Sequence, residues 1–246
     1  MIVIRNRGAT LDAMRFSTPL VKGRLIRRYK RFLSDIELEG GDFITAHVAN
    51  PGAMTGLAEA GMEVWVSRSD NPKRKLPYSW ELARVGRHLI GINASLPNRL
   101  VEEALQAGRI KELAEYRTIR REVRLGRNSR IDFLLQQEGL PDCWLEIKNV
   151  HLKRGSLAEF PDSVTARGTK HLMEFTEVVA NGGKAMMLYV VQRSDCRAFS
   201  IAGDIDPAYA EALAEARSKG VETICYVCTI RRDGIRLRAP LPMAEG

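Results

Sequence analysis

The chain is predicted to be an α/β protein in two parts: an N-terminal small β-barrel of the OB-fold kind, then a mixed α/β domain. Three observations predict this. The first ninety or so residues alternate short apolar segments with turn signals. From residue 98 the apolar positions switch to helical spacing. Beyond that point strands and helices interleave to the end of the chain, as in a sheet with helices on its faces. The change of pattern sets the division, giving units of 1–91 and 92–246.

The barrel strands are expected at 19–27, 32–38, 43–48, 62–67 and 80–92. Gly40-Gly41, Asn50-Pro51-Gly52 and Asp70-Asn71-Pro72 punctuate them, and five short strands with such turns suit a small barrel. Leu100, Val101, Ala104 and Leu105 open a helix predicted to run to about Tyr116, with Gly108 as a weak point or break. Strands follow at 119–125, 129–136 and 143–150, the last two joined through Glu138-Gly139-Leu140-Pro141-Asp142. A long helix is expected over 163–181, capped by Asp162 or Ser163 and ended by Gly182-Gly183. A buried strand at 184–192 and a helix opened by Asp206-Pro207 come next. Strands at 223–230 and 234–238 close the chain.

With 246 residues either part is able to bury a core. No apolar run is long enough for a membrane span, and the N-terminal segment lacks the features of a secretory signal. A cytoplasmic location is therefore expected, with no membrane partner. The formal net charge of +8 favours a polyanionic partner. The charge is clustered: Lys22, Arg24, Arg27, Arg28, Lys30 and Arg31 form one run, Arg68, Lys73, Arg74 and Lys75 a second, and Arg117, Arg120, Arg121, Arg124, Arg127 and Arg130 a third. Cys225 and Cys228 form a CxxC, but they sit in an apolar strand where positions three apart face opposite ways. No second pair completes a tetrahedral zinc site, so both are assigned to the core.

The chemistry concentrates in RIDFLL and WLEIKNV. In a strand Glu146 and Lys148 point to the same side. If the two segments pair as an antiparallel hairpin, Asp132 lies beside Glu146. Two carboxylates on an apolar sheet are costly unless neutralised, and a divalent cation of the magnesium kind neutralises them. Such a cation polarises a phosphate oxygen and lowers the pKa of a water. Lys148 would position that water or stabilise charge on the phosphoryl oxygens. The competing reading is a half-exposed Glu-Lys pair worth little; the apolar strand and the upstream Asp favour the site.

Flanking residues extend it. Arg167, Lys170 and Glu174 form a polar stripe on the long helix, and Arg167 and Lys170 are placed to grip a phosphate. His171 lies at the edge of the apolar stripe. Glu102 and Glu103 are both candidates for a third carboxylate, and periodicity does not choose between them. Tyr78 and Trp80 beside Lys73, Arg74 and Lys75 suit a single-strand platform; the competing reading puts the aromatics, Trp65 included, in the barrel core.

The segments AHVANPGAMTGL, NPKRKLPYSWELARVG, IGINASLPNRLVEEAL, SRIDFLL, EIKNV and FPDSVTARGTKHL, in order across nearly the whole chain, resemble the sugar fermentation stimulation protein family (SfsA). That resemblance implies an N-terminal OB-fold and a restriction-endonuclease-like C-terminal domain of the PD-(D/E)xK superfamily. It also implies DNA binding and DNA/RNA nuclease activity. The superfamily motif falls on Asp132, Glu146 and Lys148, and its optional helix carboxylate on Glu103. The segment with Arg167, Lys170 and His171 matches the helix after the motif strand. The superfamily's Pro before the Asp is Ile131 here.

The function expected is metal-dependent hydrolysis of phosphodiester bonds in DNA or RNA, with Asp132 and Glu146 on Mg²⁺ or Mn²⁺. The alternative is a non-enzymatic DNA-binding regulator of sugar (maltose) metabolism genes, since a fold alone does not prove activity. A pure binder gains nothing from two carboxylates facing a polyanion.

Overall fold

The computed structural model describes residues 1–4, 14–126 and 129–244. The first two strands, β1 (Ile2–Val3) and β2 (Met14–Arg15), lie outside the barrel. The barrel is built from β3 (Val21–Tyr29), β4 (Leu33–Leu38), β5 (Phe43–His47), β6 (Glu63–Arg68), β7 (Tyr78–Val85) and β8 (His88–Gly91). These pair in the order β5-β4-β3-β6-β7-β8, and a parallel pairing of β5 with β7 closes the cylinder. Leu25, Ile36, Ala46, Val64, Val66, Trp80, Ala83 and Ile90 fill it, so the alternation of these strands selects one inward face. The single strand expected over 80–92 is two, because the chain turns between Val85 and His88.

The second part begins with α1 (Pro97–Gln106). It continues through β9 (Thr118–Leu125), β10 (Ser129–Gln136), β11 (Cys143–Val150), β12 (Leu152–Arg154) and β13 (Leu157–Phe160). Then come α2 (Ala166–Ala180), β14 (Lys184–Val191), β15 (Ala198–Ile201), α3 (Pro207–Ser218), β16 (Glu222–Arg231) and β17 (Gly234–Pro240). The main sheet runs β1-β9-β10-β11-β14-β16-β17-β2, with β11, β14 and β16 parallel at its centre. β12, β13 and β15 form a small separate sheet.

The main sheet has two apolar faces. α1 packs with Phe133, Leu145, Ile147 and Leu188 on one. α2 and α3 cover the other through Leu172, Phe175, Tyr209 and Leu213 against Met187, Tyr189 and Val191. Trp65 and Leu82 of the barrel also enter the α1 face, so the two parts share a core.

Several sequence expectations are corrected. The first helix stops at Gln106 instead of reaching Tyr116. Gly108 takes a left-handed φ of 66°, which breaks the helical repeat, and a short 3₁₀ turn at Lys111–Leu113 follows. α2 begins at Ala166, and its cap is Thr165, whose Oγ1 accepts from Gly168 N at 3.2 Å; neither Asp162 nor Ser163 caps it. The strands at Ile2–Val3 and Met14–Arg15, inside the expected 1–91 unit, do not pair with the barrel. β1 pairs with β9 and β2 with β17, so both are edge strands of the second sheet. β1, β2, β12, β13 and β15 are two to four residues long, too short for a period to show in the sequence.

Asp206 caps α3 as expected, its Oδ1 accepting from Tyr209 N at 3.1 Å. Cys225 and Cys228 are buried on opposite faces of the sheet, in the two different cores. Among the described residues no helix is long and apolar enough to cross a membrane.

Candidate active site

The site forms where β10 and β11 part. Their antiparallel ladder runs from Leu135↔Cys143 to Phe133↔Leu145 and stops there. Beyond it Asp132 takes over a ladder bond, its Oδ2 accepting from the Ile147 amide at 2.8 Å. The neighbouring β9 is irregular at the same level, with Glu122 at a φ of 51° between the pairs Phe133↔Arg121 and Ile131↔Val123. Strict alternation fails in consequence: Phe133 joins the α1 core while Ile131 joins the α2/α3 core. Asp132 is left in the fork between the two faces, partly buried. Asn98, in the first turn of α1, donates from Nδ2 to Asp132 Oδ1 at 2.7 Å.

β11 remains regular. Leu145 and Ile147 face α1, and Glu146 and Lys148 face α2, as the sequence alternation requires. Lys148 Nζ lies 2.9 Å from Glu146 Oε1, with side-chain exposures of 12% and 5%. His171 of α2 approaches the same oxygen: its Nδ1 lies 2.7 Å from Oε1, off the axis of a linear hydrogen bond. The other carboxylate oxygen, Oε2, is buried with no hydrogen-bond partner.

The two carboxyls are driven apart electrostatically. Burial pushes Asp132 up to about 6, and the charge of Glu146 adds to that; Ile147 N–H, Asn98 and Lys148 oppose it. Burial also pushes Glu146 upward, but His171 and Lys148 outweigh it and hold Glu146 below the ordinary carboxylate range. Asp132 is thus the group whose ionisation is penalised, by burial first and Glu146 second, and a cation between the two would relieve both. The buried unpartnered Oε2 and the two hard oxygen donors fit a divalent cation of the magnesium kind. Among the described residues no group of three His, Cys, Asp or Glu is gathered for a metal. Water and phosphate oxygens would therefore complete the coordination.

The remaining predicted residues fall in different places. Glu103 pairs with Arg99 one turn earlier on α1, 3.3 Å apart. Glu102 pairs with Arg121 of β9 at 3.1 Å. Glu103 and Glu102 are thus engaged by arginines, while the α1 residue bonded to Asp132 is Asn98, a neutral amide. A motif search for acids passes over it. His171 is 1% exposed and turned toward Glu146 at the inner edge of the cleft. Trp80 is fully buried in the barrel, its Nε1 donating to Leu82 O at 2.9 Å. No base is able to stack on it, and the platform expected at Tyr78 and Trp80 reduces to Tyr78. That ring is partly buried, with the Arg68 guanidinium 6.0 Å from its centroid. Lys73, Arg74 and Lys75 are exposed on the loop between β6 and β7.

Arg167 and Lys170 are exposed on α2. With Arg124, Ser129, Arg130, Ala166 and His171 they line a cleft of about 700 Å³ whose charged lining residues are all basic. The cleft adjoins the carboxylates through His171. The third arginine run thus delivers Arg124 and Arg130 to the cleft; Arg127 lies outside the described residues. The first run is largely used locally. Lys22 pairs with Glu63 at 3.1 Å and Arg27 with Asp35 at 2.8 Å, while Arg28 donates to the carbonyls of Arg31, Asn50, Gly52 and Ala53.

An OB barrel sharing a core with a mixed α/β domain, whose Asp, Glu and Lys meet at a strand fork beside a basic cleft, defines the class of protein. Two family models match in sequence order. The SfsA N-terminal OB domain covers residues 26–92, and the sugar fermentation stimulation protein RE domain covers 95–234. The sugar fermentation stimulation protein homolog of Paramagnetospirillum magneticum is 59% identical over 230 residues, covering 94% of this chain and 98% of its own. That of Jannaschia sp. is 55% identical over 233 residues, covering 94% and 97%. The chain belongs to the sugar fermentation stimulation protein (SfsA) family. The structure of Pyrococcus furiosus SfsA in complex with Ca²⁺ shares the fold, with a TM-score of 0.87 at 24% identity over 96% of this chain and 100% of that one.

Proposed function

We propose that this protein is a cytoplasmic, metal-dependent nuclease that hydrolyses phosphodiester bonds in DNA or RNA. The observation that carries this reading is the state of Glu146. One oxygen is bonded by Lys148 and closely approached by His171, and the other is buried without a partner. Glu102 Oε1 and Glu174 Oε2 share that state; what sets Glu146 apart is Asp132, a carboxyl pushed up to about 6 by burial and by the charge of Glu146.

In this reading Asp132 and Glu146 hold Mg²⁺ or Mn²⁺. When bound, the ion polarises a phosphoryl oxygen and makes a water more acidic. Ile147 N–H and Asn98 fix the Asp132 carboxylate in the fork. Lys148 brings its ammonium to the same point, where it orients water or steadies negative charge on the phosphoryl oxygens. Arg124, Arg130, Arg167 and Lys170 take the sugar-phosphate backbone as it enters. Lys73, Arg74, Lys75 and Tyr78 continue the track on the barrel, with the base stacking on the tyrosine. We assign residues 16–91 to the barrel unit, and β1, β2 and the described residues from 92 onward to the nuclease unit. The archaeal relative was solved with Ca²⁺, a hard cation of the class these oxygens suit.

The test incubates the full chain with labelled single- and double-stranded DNA and RNA in Mg²⁺, Mn²⁺ or EDTA. Cleavage that needs the metal and falls at least ~100-fold in Asp132→Ala, with nucleic-acid binding retained, supports the proposal. The relatives' name, which refers to sugar fermentation, favours a second reading as a DNA-binding regulator. Tight binding without cleavage, unchanged in Asp132→Ala, would establish that one instead.

A further inference from the structure

His171 stands at the inner edge of the cleft, almost wholly buried, and the motif of Asp132, Glu146 and Lys148 does not account for it. It is 1% exposed, sits on α2 one turn after Arg167, and brings Nδ1 to 2.7 Å from Glu146 Oε1. On the far side of the ring Nε2 faces Arg167 Nε at 3.5 Å. A guanidinium only donates, so Nε2 is the accepting nitrogen and the proton resides on Nδ1, toward the carboxylate. Lys148 Nζ approaches the same Oε1 at 2.9 Å. Lys148 Nζ by a hydrogen bond and His171 Nδ1 by a close off-axis contact thus converge on one oxygen of Glu146, and neither touches Oε2, which is buried and unpartnered.

The helix is fixed so that this geometry is not accidental. Asp206 caps α3 with one oxygen and accepts from Thr165 N with the other at 2.7 Å, tying the start of α2 to the start of α3. Gly168 lets the two helices close, since a Cβ there would lie 2.9 Å from both the Thr165 side chain and the Tyr209 ring. Leu172 and Phe175 anchor the same face in the core. The azimuth of α2 leaves His171 aimed at Glu146.

We infer that His171 is a positioning residue. Together with Lys148 it holds Glu146 by Oε1, so that Oε2 is the oxygen presented to a divalent cation. This rests on the metal-dependent reading above. Groups that orient a ligating carboxylate typically change metal affinity by ~10–100-fold when removed.

The test is calorimetric titration of the full chain with Mn²⁺ alone, with no nucleic acid present. His171→Leu is expected to weaken Mn²⁺ binding by at least ~10-fold. His171→Asn puts an amide N–H near the position of Nδ1 and is expected to come within ~3-fold of the wild type. His171→Gln, whose amide nitrogen reaches instead toward the position of Nε2, is expected to stay weak. The Asn/Gln comparison stands even if the leucine variant fails to fold. Circular dichroism in EDTA checks that each titrated variant is folded. Equal affinities in the wild type and His171→Leu, or Asn and Gln variants that bind alike, would overturn the positioning role and leave the metal site standing. A wild type that binds Mn²⁺ no better than Asp132→Ala would remove the metal site itself, and with it both readings.

Discussion

At Asp132 both carboxylate oxygens have a donor, Ile147 N–H on one and Asn98 Nδ2 on the other. Asn98 supplies a hydrogen bond where a carboxylate would add a third negative charge. The difference has a measurable consequence. Asn98→Asp would place like charges side by side in a desolvated fork, and is expected to destabilise the metal-free protein by about 1–3 kcal/mol. Urea denaturation in EDTA measures that loss. Adding Ca²⁺ or Mn²⁺ should then restore more stability to the variant than to the wild type, because the added charge improves the cation site. A variant as stable as the wild type in EDTA would show that Asn98 and Asp132 are better solvated than their contact suggests. Asp132, Glu146 and Lys148 were legible because acids and a lysine inside apolar strands violate the local pattern. Asn98 was not, since an asparagine near a helix start reads as ordinary end chemistry. His171 was legible as a residue but not in its role, because its position at the edge of an apolar stripe does not say which neighbour it meets.

Helices and strands show where periodic reading holds and where it fails. β11 and β14 are regular, and their apolar side chains alternate between the two cores. β7 is not. Its pairing with β6 slips between Trp65 and Val66, so Trp80 and Leu82, two apart, enter different cores. The slip falls after Trp80, so Tyr78 and Trp80 do share a face, and that face is the one turned to the barrel core. Trp80→Ala should cost about 3–5 kcal/mol, as expected for a large aromatic removed from a closed core. A loss below about 1 kcal/mol, read from the shift in chemical denaturation midpoint, would place the ring at the surface and reinstate it as a stacking platform. Gly168 in α2 obeys the same logic. Alanine is the better helix former by about 1 kcal/mol, yet Gly168→Ala is expected to lower the thermal midpoint because the α2–α3 contact has no room for the methyl. A raised midpoint would mean that the helices are able to separate at little cost.

The two parts of the molecule are joined by more than a linker, and this was the feature least visible in the sequence, because it depends on contacts between distant segments. Trp65 and Leu82 of the barrel enter the core under α1. Beside them runs a buried polar seam. Asn50 Nδ2 is 2.9 Å from Ile92 O and 2.8 Å from His151 Nε2; Asn149 Nδ2 is 3.0 Å from His151 Nδ1; and Gln192 Nε2 donates to Asn149 Oδ1 at 2.7 Å and to Asn93 O at 3.0 Å. The turn signal at Asn50-Pro51-Gly52 therefore marks a docking loop. Gly52 is required there because a Cβ would collide with the Asp162 carboxylate. Residues 92–246 expressed alone, lacking β1, β2 and the barrel's share of the core, should accordingly be far less stable than the full chain.

The seam also carries a pH dependence. Burial holds His151 down to about 4, aided by Arg193 and Arg28 and opposed by Asp162. An unfolded histidine takes a proton near 6.5. Between those values the unfolded chain binds a proton that the folded chain refuses, so the stability linked to His151 is complete above about pH 6.5 and is lost as pH falls toward 4. The full loss is on the order of 3 kcal/mol. Urea unfolding from pH 7.5 to 4.5 in EDTA should show the wild type losing stability relative to His151→Gln, which has no titrating ring and keeps an amide for the seam. Parallel profiles for the two proteins would mean that water reaches the ring and that the barrel is not sealed against the α/β domain.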